Sequence, residues 1–349
     1  MFTHLKQMTW LPVISIALGG VSHSEAVAKK PPSDDSGELQ FVELEPSGDQ
    51  YAAAYAINDA GIVVGSVDRV PGYWNAREAV PTFVPLLGHG EGAAYSINEN
   101  GEIAGWEQWP PSPTYWPSPS HAPVPLPMPP NAERGWASGV AQDGVVVGEV
   151  WDDDTGTCWA VAWRITDSGV FGPVFLSVGG ANDVACIAPE LHLAVGRSAD
   201  VDYGHVATAW DLITEDDGTF TVFGSTLLVP DSTGEAFAVT ERGDVTGIVK
   251  YVNAAFVIRN GSVTLLPSGP RNEYGVGYDL NDSEVVGKTG RSWLSENMTA
   301  IQWNSRNKRQ DLVGEYFGDG WPNTSAEGIN AAGEMVGYGT TGAWLLRRQ

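Results

Sequence analysis

Tyr55-Ala56-Ile57-Asn58-Asp59-Ala60-Gly61-Ile62-Val63-Val64-Gly65 is the stretch on which the fold turns. It reads as a β-rich run, an Asn-Asp-Ala-Gly turn and a second β-rich run, the strongest short-range signal for a hairpin. The same wording returns down the chain. Tyr95 to Gly105 and Gly139 to Gly148 are close copies, and Cys186 to Gly196 is a looser one with Pro189-Glu190 in the turn. Further copies close at Gly247, Gly287 and Gly337, so seven closing glycines lie 40 to 51 residues apart. Each copy has a second half. Tyr73-Trp74, Tyr115-Trp116, Ala162-Trp163, Ala209-Trp210, Ala255-Phe256, Gln302-Trp303 and Ala343-Trp344 mark a third strand. A turn usually follows, then a short apolar strand such as Phe83-Val84-Pro85-Leu86-Leu87.

A four-stranded unit of this length repeated seven times predicts an all-β fold, a seven-bladed β-propeller of four-stranded blades. The last copy stops one strand short, and a spare strand, residues 38–44, precedes the first. Pairing the two would close the ring and remove exposed sheet edges. An open β-solenoid has the same periodicity but gives no reason for that complementary deficit and surplus. In the first strand, small Ala54 and Ala56 alternate with large Tyr55 and Ile57, so strand alternation puts the two alanines on one face of the blade. The recurring Trp at 74, 116, 163, 210, 303 and 344 are expected to pack between blades.

Composition supports this and narrows the function. With 42 Gly and 23 Pro in 349 residues, long helices are disfavoured. A formal charge of −24, from 43 acidic against 19 basic residues, argues against nucleic-acid or anionic-membrane partners. No run in the expected mature chain reaches the ~18 apolar residues of a membrane span. Residues 1–28 read as an export signal, with Lys6, an apolar run from Thr9 to Val21 and the small-x-small site Ala26-Val27-Ala28. Residues 29–37 read as a solvated linker and 38–349 as the propeller domain. The expected address is therefore the periplasm or the extracellular space, and the expected state a monomer.

The consensus small-x-Ala-x-Ile-Asn-x-x-Gly-x-Val-Val-Gly, followed by Ala-x-x-Trp, resembles the HAF-family extracellular repeat of bacterial secreted proteins. Asn58 to Gly65 and Asn281 to Gly287 carry the likeness best. It implies an exported repeat protein and supplies no catalytic residues.

Loops joining the second and third strands, with those between blades, should share one face. They hold Trp106, Trp109, Trp151, Tyr203, His205, Trp293, Tyr316 and Trp321, beside Arg69, Arg134, Arg197, Arg271 and Arg291. These aromatics lie outside the repeat consensus and suit sugar rings or a protein hot spot, so a glycan, a peptide or a partner protein is the expected ligand. Asp152, Asp153 and Asp154, in one loop with Gly156, form a candidate calcium site. Asp200-x-Asp202 sits in the equivalent loop of the next copy. His89, His121, His192 and His205 show no zinc-ligand spacing. A polysaccharide hydrolase or lyase using carboxylates among Asp152, Asp153, Asp154, Asp202 and Asp319 is the alternative. Cys158 and Cys186 would pair readily in an exported protein. Their places in successive blades put them beyond the ~7 Å reach of a disulfide, so two separate thiols are expected.

Overall fold

The structure, a computed structural model, describes residues 38–44, 51–88, 90–188, 191–200, 204–215, 219–229, 232–269, 273–291, 298–317 and 321–349. The expected export signal and linker lie outside the described residues. Glu38–Gln349 gathers into one unit of antiparallel β-sheets with one short π-helical turn, Val313–Phe317. Among the described residues no helix is long and apolar enough to cross a membrane.

The repeat motif writes a hairpin. In the first copy Ala52–Ile57 pairs with Ile62–Val67, and the turn is closed by Asn58 N–H donating to Ile62 O (3.1 Å) and Gly61 N–H to Asn58 O (2.9 Å). Gly61 holds φ at 80°, a region costly for L side chains. The third strand, Val70–Asn75, and the short outer Val84–Pro85 complete a four-stranded sheet. Pro85 sits on that outer strand, where its missing N–H deprives no neighbour.

Five sheets are four-stranded. In the last, Ser325–Ile329, Met335–Gly339 and Gly342–Arg348 are joined by Leu39–Leu44, which runs antiparallel to Gly342–Arg348 from Leu39 opposite Arg348 to Leu44 opposite Ala343. The third and fourth copies depart from seven separate four-stranded blades. Gly169–Ala188 is one strand of 20 residues. Its first part pairs with Thr157–Thr166 and its second with Leu191–Asp200, so both copies share a seven-stranded sheet. The cause is local. Residues 126–133 separate Val124–Pro125 from the next strand in the copy before, whereas no turn segment interrupts Val178-Gly179-Gly180.

The structure also corrects the simple alternation of the first strand. Pairing skips Tyr55, because Ala54 faces Gly65 and Ala56 faces Val64. Such a bulge leaves one residue unpaired and turns its neighbours to opposite faces. Ala54 accordingly packs with Trp74 and Val336, and Ala56 with Ala94 and Trp116. The same bulge occurs in all seven copies, at Tyr55, Tyr95, Ser138, Asn182, Phe237, Tyr278 and Glu327. It also explains the closing glycine of the motif. A Cβ on Gly65 would strike the Ala53 carbonyl, on Gly105 that of Ala93, on Gly148 that of Trp136, and so on to Gly337 and Ser325.

The repeated aromatics are core, as expected. Trp74, Trp116, Trp163, Trp210, Phe256, Trp303 and Trp344 are fully buried, and each packs against the copy before it. Trp163 meets Ala104 and Leu126, Trp303 meets Ala255 and Leu266, and Trp74 of the first copy meets Val336, Ala343 and Leu345 of the last. At ~25 cal/mol per Å², burying one such ring is worth about 4–6 kcal/mol. Several are also pinned: Trp116, Trp163 and Trp303 donate Nε1–H to Leu87 O, Pro127 O and Pro267 O at 2.8 to 2.9 Å.

The motif Asn has two tasks. Its Oδ1 caps its own turn, accepting Ile62 N–H for Asn58 and Glu334 N–H for Asn330, both at 2.9 Å. Its Nδ2 reaches the following copy: Asn58 to Asn98 O (3.1 Å), Asn98 to Ala141 O (2.9 Å) and Asn281 to Asn330 O (3.0 Å). Asn330 of the last copy donates in the same way to Asn58 O of the first (3.2 Å).

Candidate functional site

The seven bulge residues share one destination. Tyr55, Tyr95, Ser138, Asn182, Phe237, Tyr278 and Glu327 all line a single cavity of ≈ 570 Å³. It opens among the Asn-x-x-Gly turns, past Asp59, Glu99, Gln142, Glu241 and Asp282. A second cavity, ≈ 520 Å³, shares Tyr55 and Tyr95 with the first and is lined further by Tyr51, Ser66, Asp68, Arg69 and Trp106. The two tyrosines stand edge to face between them, centroids 5.2 Å apart at 77°. The residue before the bulge is Ala or Gly in every copy, the residue after it is small in all but Asp183 and Asp279, and the bulged side chain varies among copies. That arrangement sets seven side chains of five kinds around one space.

The wall is aromatic and acidic. Phe237 meets Tyr278 edge-on (5.2 Å, 66°), and Tyr55 meets Tyr338 (5.9 Å, 70°). Lys288 holds its ammonium 5.0 Å from the centre of the Tyr278 ring. Asp183 and Asp279 occupy the small position after the bulge, and each ties its copy to the next: Asp183 Oδ2 accepts Val239 N–H (2.9 Å) and Asp279 Oδ2 accepts Ile329 N–H (2.8 Å). Enclosure within the wall pushes both carboxyls up to about 7, and the charge of Asp183 adds to the effect at Asp279. Glu327 is raised by the same loss of water, opposed by Ser325 and Lys288. Glu327 in turn is the main reason that the Tyr338 phenol is held protonated. At the mouth, Glu99 accepts Asp59 N–H (3.0 Å) and is raised first by enclosure, then by Asp59 and Glu241.

A charge network links the third, fourth and fifth copies. Arg197 pairs with Glu149 (2.8 Å) and with Glu235. Asn182 Nδ2 donates to Glu235 Oε1 (3.0 Å). Cys158 is a free thiol that donates to Gly179 O (3.0 Å) and Glu149 (3.4 Å), and burial pushes its pKa up.

The aromatics singled out from the loops are placed differently from one another. Trp106 is buried, lines the second cavity and donates Nε1–H to Tyr95 Oη (3.0 Å). Trp109 is exposed (73%). Trp151 is half-buried, with the Arg134 guanidinium 5.0 Å over its ring. His205 is exposed, and enclosure together with Arg197 and Lys250 lowers its pKa. Tyr316 and Trp321 fold back onto the core of the last copies, Trp321 against Phe41 (5.2 Å) and Phe317 (5.9 Å). Tyr203 and Trp293, with Arg271, Asp202 and Asp319, lie outside the described residues.

The three aspartates of the candidate calcium loop point to separate partners. Asp152 is buried and accepts Thr155 N–H (2.8 Å), Asp153 pairs with Arg134 (2.8 Å), and Asp154 is exposed. Among the described residues, no group of three or more His, Cys, Asp or Glu is arranged to hold a metal ion.

The cavity itself went unread in the sequence. Its signal is the position three residues before the motif Asn or its equivalent, where Tyr, Tyr, Ser, Asn, Phe, Tyr and Glu succeed one another after a small residue.

Repeated sheets whose first strands face one cavity define the class: a β-propeller. No family model and no curated protein matches the chain. Solved structures do. It is similar to the β-propeller domain of Cps50 (Swd1) from Myceliophteria thermophila, at 11% identity and TM-score 0.55, over 87% of this chain and 98% of that one. It is also similar to YCF48 bound to D1 peptide, at 14% identity and TM-score 0.49, over 91% and 97%. A third likeness is TolB from Acinetobacter baumannii, at 8% and 0.45, over 74% and 62%. At such identities the likeness is one of fold.

Proposed function

We propose that this protein is an exported, non-catalytic binding propeller that seats a peptide, partner protein or glycan at the turn-side mouth of its channel. In this reading the shared seven-stranded sheet counts as two blades, so seven blades form a ring that Leu39–Leu44 latches on the last one. The observation that carries the reading is the set of bulge side chains. Seven equivalent positions, each held by the same bulge and closing glycine, differ in chemistry and line one cavity. Core packing demands no such variety, and a cavity of this size falls in the ~300–1,000 Å³ range of ligand pockets. Residues 1–28 and the HAF-type motif support export. The test is capture from glycan arrays and peptide libraries by the mature chain and by a Tyr55→Ala/Phe237→Ala variant. Ligands retained by the first and lost by the second are expected; equal capture by both would refute the channel as the site.

One observation favours a second reading. Asp183 and Asp279 line the same cavity with pKa values of about 7, where a carboxyl can serve as general acid or base. A hydrolase or lyase acting on polysaccharide would release new reducing ends or unsaturated products, and Asp183→Asn would abolish them.

A further inference from the structure

On the reading that the channel is the binding site, we propose that its occupant is an organic cation. The group is an alkylammonium, carried by a lysine side chain of a peptide or by a free polyamine. Glu327 holds it against the rings of Tyr55 and Tyr278.

The charge of the lining points this way. Asp59, Glu99, Asp183, Glu241, Asp279 and Glu327 face the cavity. Among the described residues the lining cation is Arg242, already engaged by Asp244 (3.2 Å) and Asp282 (2.8 Å). A neutral or anionic occupant would displace water from these carboxylates and leave their charge without a counterion, with only backbone N–H donors at Glu99, Asp183 and Asp279, which is costly. A cation pairs them. The net charge of −24 draws cations towards the protein in the same sense.

The aromatic wall is independent of that charge and points to the same ligand. Tyrosine faces attract ammonium groups, and Lys288 shows that this wall accepts one, with Nζ 5.0 Å from the Tyr278 centroid. Glu327 lines the cavity together with Tyr55 and Tyr278, and its charge acts on both phenols and on Tyr338, which stands edge-on to Tyr55 (5.9 Å). Among the described residues it has no ion pair, and the cation that acts on it is Lys288. A compact metal ion is a poorer fit. It needs several oxygens converging on one point, and the described carboxylates form no such group. An extended amine can meet carboxylates spread around a wall.

The experiment is titration calorimetry of the mature protein with cadaverine, with the end-blocked peptide acetyl-Gly-Gly-Lys-Gly-Gly-amide and with its Nε-acetylated form, which carries no cation. Glu327→Gln is the test variant, its melting curve is the folding control, and Asp279→Asn is a second variant. Binding of at least one amine is expected, weakened ~10-fold or more in E327Q. Binding of the peptide alone assigns a lysine side chain; binding of cadaverine alone assigns a free polyamine. If neither amine binds, or if E327Q and D279N both bind as wild type does, the inference is overturned. Equal binding of the acetylated peptide overturns the cation and leaves the channel reading standing. A library ligand without a cation that depends on Tyr55 and Phe237 does the same.

Discussion

Asn330→Ala cuts the side-chain stitch between the last copy and the first. The amide lies 4% exposed, Nδ2 donating to Asn58 O (3.2 Å) and Glu334 Oε2 (2.8 Å), Oδ1 accepting Glu334 N–H (2.9 Å). Asn58 and Glu334 are themselves 2% exposed, so water cannot easily replace what is lost. An alanine leaves the buried Glu334 N–H without this partner, at ~1–3 kcal/mol, and takes one hydrogen bond, worth ~1 kcal/mol, from the Asn58 carbonyl, which keeps Gly61 N–H (2.9 Å). Glu334 keeps Arg77 (2.6 Å), so a total of about 3 kcal/mol is expected. At ~2–4 °C per kcal/mol for a chain of this size, the melting temperature should fall by roughly 6–12 °C. The control is Asn304→Ala, whose Oδ1 serves only its own turn, accepting Arg306 N–H (3.0 Å) and Lys308 N–H (3.1 Å); it should cost ~1 kcal/mol. Urea and thermal melts of the two variants decide the matter. If N330A loses no more than N304A, side chains reaching from copy to copy do not hold the assembly together.

Asp183 and Asp279 make stability depend on pH. Their folded pKa of about 7 lies above the unfolded value, so their contribution is complete below pH ~4 and is lost as pH rises through 7. Partial exposure to the channel trims the effect to ~1–2 kcal/mol per site. Asp279→Asn can still accept Ile329 N–H and should flatten the decline between pH 5 and 8; urea midpoints that run parallel to wild type would contradict this. Arg197→Met leaves Glu149 and Glu235 facing each other in a half-buried site, and should cost ~3–5 kcal/mol at neutral pH. Part of that loss should return at pH 4.5, an effect that thermal melts at both pH values would show. Gly105→Ala drives a Cβ into the Ala93 carbonyl and should cost ~1–3 kcal/mol, whereas Gly224→Ala, whose nearest neighbour is Asp211 Oδ2 at 3.7 Å, should melt as wild type.

Much of the fold is visible in the residues. The hairpin turns follow from Asn58-Asp59-Ala60-Gly61 and its copies because few residue types tolerate φ near +80°. The buried ring of each copy follows from the aromatic that recurs in its third strand, 7 to 16 residues after the closing glycine. What escapes is the bulge at Tyr55, because period-two alternation assumes one residue opposite one. Its trace is the glycine across the strand, whose reason is a backbone carbonyl rather than a turn. The continuous strand Gly169–Ala188 escapes for a related reason: Pro173 and Gly179-Gly180 are poor strand formers, yet they lie within one strand that spans two copies. Loop aromatics cannot be sorted by sequence at all. Trp321 rests on Phe41, 280 positions away, and Trp109 rests on the surface. The channel inherits all of this, since its lining is the bulge.

The central claim is that ligand enters the cavity ringed by the seven bulge residues. Ser138 lines that cavity with the smallest side chain of the seven, so Ser138→Trp fills the space while changing no charge. Affinity of the wild-type and S138W proteins for the same captured ligand is the direct measurement. A loss of ~100-fold with a melting temperature within a few degrees of wild type is the result expected of a filled binding pocket. Undiminished affinity in S138W, with loss instead in Trp109→Ala, would place the ligand on the outer loops and contradict the account.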